Sequence, residues 1–163
     1  MLERPGDRAS ILIIDSDAIS LTSAAEVLNS AGHQSHCAQT FESALKALRT
    51  TRIDLIVCDV LVQGESGLQM CKDLQTVAAT PDIPLMFVSA HQSPDIIRRV
   101  HDAGGIYYLR KPFDPRVLVE LVDTAIWMPH VIRRRARKPV SISSVPVPHC
   151  LPPSQPALYA DRP

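Results

Sequence analysis

Acidic side chains follow two short apolar runs of this sequence. Asp15, Ser16 and Asp17 come directly after one run, and Asp59 comes directly after another. The simplest interpretation, that an acid after a strand caps the next helix, is favoured for Asp17 and is weaker for Asp59, because an apolar segment follows it. Carboxylates that are gathered at one place repel each other unless a cation shares them, and oxygen ligands with open positions suit Mg²⁺. Asp15 and Asp59 are therefore candidate magnesium ligands if their two runs end at the same edge of a sheet.

A hydroxyl group and an amine follow two further apolar runs. Ser89 precedes Ala90 at the end of one run, and Lys111 precedes Pro112 shortly after the other. A lysine and a hydroxyl can both bind phosphoryl oxygens. Together with the acids, these residue types indicate chemistry on a phosphoryl group.

The elements that must position these side chains follow from periodicity. Residues 10–127 alternate between short β-branched runs and longer segments whose apolar residues recur every three or four positions. Strands are predicted at residues 11–14, 35–38, 55–58, 85–88 and 106–109. Apolar strands joined by helices indicate an α/β fold, with a doubly wound five-stranded parallel sheet. Chemistry in such sheets lies at the carboxyl ends of the strands, where the candidate side chains stand.

Five one-sided helices are predicted to alternate with the strands. Thr40 is the expected N-cap of the second helix, while Ser93-Pro94 and Asp114-Pro115 open the fourth and fifth as N-cap and first helical residue. The third helix spans about residues 67–78. The positions predicted to face the core are Leu21, Ala24, Ala25, Leu28, Phe41, Ala44, Leu45, Leu48, Met70, Leu74, Val77, Ile96, Ile97, Val100, Leu118, Leu121, Val122 and Ala125.

Four segments, ILIIDSD, DLIVCDVLVQGESG, PLMFVSA and AGGIYYLRKPF, resemble in order the motifs of the receiver domain of bacterial two-component response regulators. The resemblance covers roughly residues 10–127 and implies a (βα)5 flavodoxin-like fold with strand order 2-1-3-4-5. It implies phosphorylation-controlled signalling in a two-component phosphorelay. In that role Asp59 accepts a phosphoryl group from a histidine kinase and becomes an aspartyl phosphate. Gly67 matches a glycine of the family.

The resemblance assigns roles to the candidate residues. Asp59, Ser89 and Lys111 would form the catalytic set of a self-phosphorylating signalling domain, which is not an enzyme in the usual sense. Asp15, Asp59 and the main-chain carbonyl of Leu61 would bind Mg²⁺.

The resemblance also implies a switch and partners. Ser89 would move toward the phosphoryl group, and Tyr108 would rotate inward and reshape the face formed by the fourth helix, fifth strand and fifth helix. That face would bind an output protein, while a histidine kinase or phosphotransfer protein would supply the phosphoryl group. A homodimer is left open. The peptide between Lys111 and Pro112 would be cis.

Two positions depart from the family pattern. Ser16 stands where the family has a second acid, so we expect weaker Mg²⁺ binding, because a neutral hydroxyl repays less of the dehydration of the ion. Gln63 replaces a proline of the family, which we expect to loosen the loop without removing a ligand.

Two alternatives to a phosphorylated receiver remain. In a degenerate receiver, the Ser16 change would abolish efficient phosphorylation and leave a protein-binding module. In a haloacid-dehalogenase-like phosphatase, the strand followed by Asp15-Ser16-Asp17 would supply a nucleophile and a general acid/base, with Ser89 and Lys111 as further motifs. That interpretation leaves Asp59 without a role.

Charge and composition divide the chain into three parts. Residues 129–163 hold six basic residues against one acidic residue, whereas residues 1–128 hold 11 against 16. We expect a receiver domain at 10–127, a basic segment at 128–138 that extends or follows the last helix, and a Pro-rich disordered tail at 139–163. The sequence shows no bilayer-spanning run and no secretory signal, so we expect a cytoplasmic protein without membrane contacts. We do not expect nucleic-acid binding, because residues 128–163 offer no helix-turn-helix pattern.

Overall fold

The computed structural model describes the backbone of residues 8–136 and the side chains of residues 8–127. Within this range the chain forms seven strands and five helices. The strands are β1 (Ser10–Ile14), β2 (Gln34–Ala38), β3 (Leu55–Asp59), β4 (Leu61–Val62), β5 (Glu65–Ser66), β6 (Leu85–Ser89) and β7 (Gly105–Arg110). The helices are α1 (Ala18–Ser30), α2 (Phe41–Thr50), α3 (Gly67–Val77), α4 (Ile96–Asp102) and α5 (Pro115–Ala136).

The central sheet contains five parallel strands in the order β2-β1-β3-β6-β7. This order and the alternation of strands with helices confirm the doubly wound α/β prediction. The core has two layers. Side chains that alternate along the central strands pack against α1 and α5 on one face and against α2, α3 and α4 on the other. All five residues of β3 and of β6 are buried because helices cover both faces.

Side-chain caps fix the starts of two helices near the carboxyl edge of the sheet. The Asp17 carboxylate accepts a hydrogen bond from the Ile19 amide, so Asp17 is the N-cap of α1, as expected. The Thr40 hydroxyl accepts from the Ser43 amide, and the Ser43 side chain accepts from the Thr40 amide in a reciprocal capping box. The N-caps predicted at Asp17 and Thr40 are confirmed.

The predicted start of α4 is wrong by two residues. The helix begins at Ile96, and Asp95 rather than Ser93 is the N-cap, without a side-chain bond to the helix. The Ser93 hydroxyl bonds the Asp95 carboxylate instead of an amide of the first turn, and the Ser93 carbonyl accepts from the Ile96 amide. The residues that were expected to open the helix therefore form the turn before it.

Two predicted core positions are exposed. Ile97 is 61% exposed, because Ile96 and Val100 are the α4 residues that face the core, and the residue after Ile96 is rotated away by about 100°. Val77 is 49% exposed in the last turn of α3, beyond the buried residues of that helix.

We expected Gln63, which replaces a proline of the family, to loosen the loop after β3, but this loop forms a paired hairpin. Leu61–Val62 and Glu65–Ser66 pair as an antiparallel hairpin. Gln63 and Gly64 form its two-residue turn, with φ values of 51° and 80°. Positive φ at both central residues is the feature of the hairpin turn whose twist matches that of its strands. The departure at position 63 is therefore accommodated in a paired loop.

The last helix continues past the predicted domain boundary. The backbone of α5 is helical to Ala136, so it includes most of the predicted basic segment at 128–138. The Pro-rich tail predicted at 139–163 lies outside the described residues. No helix within residues 8–136 combines the length and the apolarity needed to cross a bilayer.

Candidate functional site

The carboxyl ends of four strands bring the candidate side chains to one edge of the sheet. Asp15 follows β1, Asp59 and Ser89 end β3 and β6, and Lys111 follows β7. Asp15, Asp59 and Ser89 are buried, with relative exposures of 3%, 9% and 1%. The strand positions thus place these four residues around one acidic pocket, as the sequence pattern indicated.

Lys111 joins the two acids of the pocket. Its Nζ atom lies 2.5 Å from Asp15 Oδ2 and 2.7 Å from Asp59 Oδ2. The Lys111 amide donates to the Ser89 carbonyl at 2.9 Å, which continues the pairing of β6 and β7 to the pocket. The Lys111-Pro112 peptide is cis, as the resemblance implied. One ammonium group therefore bridges carboxylates from two strands.

Asp15 and Asp59 keep the Lys111 ammonium group protonated. Burial by itself lowers the pKa of Lys111, but hydrogen bonds and charge attraction from Asp15 and Asp59 outweigh burial and raise the pKa above its ordinary value. The Lys111 side chain is 16% exposed, so solvent screens these contacts only in part. Lys111 is therefore a cation at physiological pH.

Backbone amides orient the two carboxylates. Asp59 Oδ1 accepts a hydrogen bond from the Leu61 amide at 3.0 Å, and Asp15 Oδ1 accepts from the Asp17 amide at 2.9 Å. Each acid thus uses one oxygen to bind the chain that follows its own strand and the other to bind Lys111. This division fixes the Oδ2 atoms in the pocket.

Gly67 is required by the backbone immediately behind Asp59. A Cβ atom at position 67 would lie 1.8 Å from the Asp59 carbonyl oxygen and 3.1 Å from Cys58 Sγ. The Gly67 amide also donates to the Val60 carbonyl at 2.8 Å, where α3 starts. The absence of a side chain allows the first turn of α3 to pack against the end of β3.

Ser89 and Tyr108 contact the same backbone segment. Ser89 Oγ accepts from the His91 amide at 2.9 Å, and the Tyr108 hydroxyl donates to the His91 carbonyl at 3.3 Å. Tyr108 is half-buried and packs against the core cluster that includes α4. His91 therefore links the hydroxyl in the pocket to the aromatic residue on β7. No pattern in the sequence singled out His91, because its contribution comes from its main chain.

Ser16 and Asp17 do not share the burial of Asp15. Ser16 is exposed, and its carbonyl accepts from Gln39 Nε2 at 3.3 Å. Asp17 is exposed as the N-cap of α1. Of the acids after β1, Asp15 is the one that contacts Lys111.

The donors of the pocket suit a hard cation. Asp15 and Asp59 supply carboxylate oxygens, and carboxylates completed by a carbonyl and water are the usual ligands of Mg²⁺. Within residues 8–127, no group of three or more histidine, cysteine or acidic side chains is arranged to hold a metal ion. The two carboxylates have the ligand chemistry that Mg²⁺ prefers.

A cleft of about 430 Å³ adjoins Lys111. It runs between α1 and the turn from β7 to α5. Its lining residues are Ser20, Ser23, Ala24, Val27, Ala90, Lys111, Pro112, Phe113 and Pro115. Sequence reasoning missed this cleft, because its walls come from segments far apart in the chain.

Fold and site together define a doubly wound α/β domain with a lysine-bridged acidic pocket at the carboxyl edge of its sheet. Residues 11–123 match the family model described as "Response regulator receiver domain", and the chain belongs to this family. The resemblance found in the motifs is thereby confirmed.

Similar proteins include two transcriptional regulators. The chain is 34% identical over 116 residues to the phosphate regulon transcriptional regulatory protein PhoB of Klebsiella pneumoniae, covering 71% of this chain and 51% of that protein. The PhoB protein of Escherichia coli is 32% identical over the same coverage. The chain therefore spans about half the length of these relatives.

A solved structure with the same fold comes from Chloroflexus aurantiacus. This putative response regulator is 29% identical, covers 74% of this chain and 98% of its own, and superimposes with a TM-score of 0.67. NtrX from Brucella abortus, solved in complex with ATP, gives a TM-score of 0.73 at 23% identity, which shows a shared fold.

The family match favours the receiver over the phosphatase alternative. That alternative made Asp15 the nucleophile and gave Asp59 no role. In the structure, Asp59 contacts Lys111 as directly as Asp15 does.

Proposed function

We propose that this chain accepts a phosphoryl group on Asp59 from a phosphohistidine of a histidine kinase or phosphotransfer protein. The observation that carries the proposal is the contact of 2.7 Å between Asp59 Oδ2 and Lys111 Nζ at the carboxyl edge of the sheet. A buried carboxylate beside a fixed ammonium group is a suitable nucleophile, because the cation offsets the charge of an incoming phosphoryl group.

The transfer assigns one task to each side chain. An oxygen of Asp59 attacks phosphorus, the bond from phosphorus to the donor imidazole nitrogen breaks, and the imidazole leaves with the electron pair and takes a proton from solvent. Lys111 binds one phosphoryl oxygen, and Ser89 donates its hydroxyl to another. Asp15, Asp59 and the Leu61 carbonyl would hold Mg²⁺, which supplies charge neutralisation when bound.

Signal output is proposed to run through the shared backbone contact of Ser89 and Tyr108. If Ser89 turns toward a phosphoryl group, its bond with the His91 amide is lost, and the Tyr108 hydroxyl loses a fixed partner. Tyr108 then moves inward, and the face of α4, β7 and α5 changes shape. Ile97, Ile106 and Val117 are exposed on these three elements, which suits binding of an output protein or of a second copy.

The degenerate receiver is the second candidate function. Two observations favour it. Ser16 beside the pocket is neutral and exposed, and Lys111 already contacts both acids of the pocket. In that case the chain would bind a partner without phosphorylation.

A direct experiment separates the two candidates. The whole chain is incubated with Mg²⁺ and acetyl phosphate or phosphoramidate, and intact mass is measured before and after hydroxylamine treatment. We expect one hydroxylamine-labile phosphoryl group that is lost in Asp59→Asn and kept in Asp17→Asn, which changes a nearby exposed acid that caps a helix. An adduct that survives Asp59→Asn contradicts the assignment, and no adduct in the wild type favours the degenerate receiver.

The remaining proposals concern the chain as a whole. We propose a cytoplasmic protein whose receiver domain occupies residues 10–127, with a basic segment at 128–138 that extends the last helix of the domain and a tail at 139–163 that is dispensable for folding. Support comes from the family match at 11–123 and from the helical backbone to Ala136. Truncation after Lys138 should leave the thermal midpoint nearly unchanged, whereas a large fall would show that the tail stabilises the domain.

A further inference from the structure

We propose that the cleft between α1 and the turn from β7 to α5 is a docking site for the Pro-rich segment at residues 149–159 of the same chain. The segment packs on the apolar side chains of the cleft and lies beside Lys111. This contact goes beyond the proposed function, because it needs neither a phosphoryl group nor a metal ion. It uses the finished surface of the domain, so folding does not depend on it.

The cleft offers accessible apolar surface. Its volume is about 430 Å³, which is in the usual range for binding clefts. Val27 and Phe113 line it and are half-buried, while Pro112 and Pro115 line it and are exposed. An aromatic ring beside aliphatic side chains is the kind of surface on which Pro-rich segments dock. Covering these side chains removes apolar area from water, which favours binding.

The polar groups of the cleft complement a Pro-rich backbone. Proline has no N–H group, so a segment rich in proline offers mainly carbonyl acceptors. Ser20 and Ser23 line the cleft on α1, and their hydroxyl groups can donate hydrogen bonds to carbonyl oxygens. The cleft can therefore hold such a segment by apolar contact and fix its position by a few hydrogen bonds.

Charge selects the part of the chain that suits the cleft. Residues 139–160 contain no Asp, Glu, Lys or Arg, whereas residues 128–138 contain five Arg or Lys residues. Burying an unpaired charge against apolar side chains is costly, and burying a neutral segment is not. The uncharged part of the sequence after Lys138 is therefore the better occupant.

The length of the chain decides which part of this sequence reaches the cleft. Pro115 lines the cleft and is the first residue of α5, whose 22 residues lead away from it to Ala136. A helix of that length measures about 33 Å. A Pro-rich chain that returns over this distance at about 3.1 Å per residue uses about 11 residues. Residues from about position 148 onward can therefore reach the cleft, and residues closer to α5 cannot.

Composition and tethering lower the cost of docking. Pro152, Pro153 and Pro156 fix their φ angles, so the segment loses less conformational freedom when it binds. Attachment to α5 also gives the segment an effective concentration in about the millimolar range. A contact that would be too weak between separate molecules is therefore sufficient within one chain.

The test uses Cys150, a natural reporter inside the proposed segment. The whole chain reacts with N-ethylmaleimide, and the modification of each cysteine is followed by peptide mass spectrometry. Cys37 is exposed and serves as the reference, while Cys58 and Cys71 are buried and react only if the domain unfolds. Docking should slow the labelling of Cys150 relative to Cys37.

Two pairs of variants remove docking from opposite sides. Ser23→Arg places a long charged side chain in the cleft, and Thr22→Arg adds the same charge at the neighbouring exposed residue, which does not line it. In the tail, Leu158→Asp puts a charge into the segment, while Ile142→Asp makes a similar change too close to α5 to reach the cleft. We expect Ser23→Arg and Leu158→Asp to label Cys150 about threefold faster than the wild type, and both controls to match the wild type.

Equal Cys150 rates in the wild type and Leu158→Asp overturn the proposal, because this variant leaves the domain unaltered. Acceleration by Thr22→Arg or Ile142→Asp to the same extent also overturns it. If Ser23→Arg exposes Cys58 or Cys71, Leu158→Asp alone decides. Protection of Cys150 that increases with protein concentration would assign the segment to a second copy and contradict docking within one chain. No step uses a phosphodonor, so the result is independent of the phosphorylation of Asp59.

Discussion

The acidic pocket and the face formed by α4, β7 and α5 are built in opposite ways. In the pocket, Asp15 and Asp59 are buried and each receives both a backbone amide and the Lys111 ammonium group. On the face, α4 has only seven residues and an N-cap without a side-chain bond, and every residue of β7 is at least partly exposed. Side chains of the pocket thus have several partners each, whereas the face exposes apolar groups.

This difference matches the tasks proposed for the two regions. Phosphoryl transfer needs a nucleophile and a cation held in a fixed geometry, because misplacement raises the barrier. A binding face that responds to a signal must have low local stability, so that a few hydrogen bonds can change its shape. The following substitutions test whether the two regions differ in this way.

Lys111→Met should have the largest effect on stability. It leaves two buried carboxylates without their shared cation, which should cost about 4 kcal/mol of the free energy of unfolding at neutral pH. Urea unfolding of the wild type and the variant measures the difference. A cost below about 1 kcal/mol would show that the acids of the pocket are well solvated.

The same pair of proteins gives a pH dependence. The pKa of Lys111 is raised in the folded state above 10.5, so the stability it contributes is fully present below that pH and is lost as the pH rises through the folded pKa. The stability difference between the wild type and Lys111→Met should therefore shrink above about pH 10.5. A difference that grows in this range would contradict the ion-pair assignment.

Gly67→Ala should lower the free energy of unfolding by about 3 kcal/mol. The added methyl group would meet the Asp59 carbonyl oxygen, so the backbone must shift. Gly64→Ala is the matched control in the β4–β5 turn. Position 64 has φ of 80° but open space around a Cβ atom, so the expected cost is only about 1 kcal/mol. Equal costs in urea unfolding would show that the backbone behind Asp59 can relax.

The residues of the pocket could be predicted from the sequence more fully than those of the face, for a physical reason. The side chains of Asp15, Asp59, Ser89 and Lys111 are fixed in space by the ends of apolar strands, and strand ends can be predicted from periodicity. The start of α4 and the exposure of Ile97 depend on a local turn in which side-chain bonds compete with helix capping.

Contacts between segments that are distant in the chain could not be predicted from the sequence either. His33 Nε2 lies 2.9 Å from Asp123 Oδ1, which ties the start of β2 to α5, yet 90 positions separate the two residues. The bridge of Lys111 to Asp15 could be anticipated only after the strand order had been taken from the resemblance. Pairing of distant polar side chains requires the assembled fold.

Ser89→Ala and Tyr108→Phe should have smaller effects that depend on each other. Loss of the Ser89 hydroxyl leaves the His91 amide without its acceptor, at a cost of about 1 kcal/mol, and loss of the Tyr108 hydroxyl should cost about half of that. Because both bonds hold His91, the double variant should deviate from additivity by about 0.5 kcal/mol. Strict additivity in a double-mutant cycle would mean that His91 does not couple the pocket to the face.

Ile97→Ser should have the smallest effect on the folded domain and a clear effect on association. Ile97 is 61% exposed, so the change in unfolding free energy should stay within about 0.5 kcal/mol. The neighbouring Ile96 is buried, and Ile96→Ser should cost about 3 kcal/mol.

The phosphorylation rate of Ile97→Ser with acetyl phosphate should equal that of the wild type, because Ile97 lies on α4 and the hydrogen bonds described for the pocket side chains come from residues outside α4. Binding of an output partner or of a second phosphorylated copy, followed by sedimentation, should weaken, because an apolar group leaves the exposed face. If Ile97→Ser instead slows phosphorylation while the domain stays folded, the face already constrains the pocket before any phosphoryl group arrives. The two regions would then form one coupled unit rather than a fixed site joined to an adjustable face.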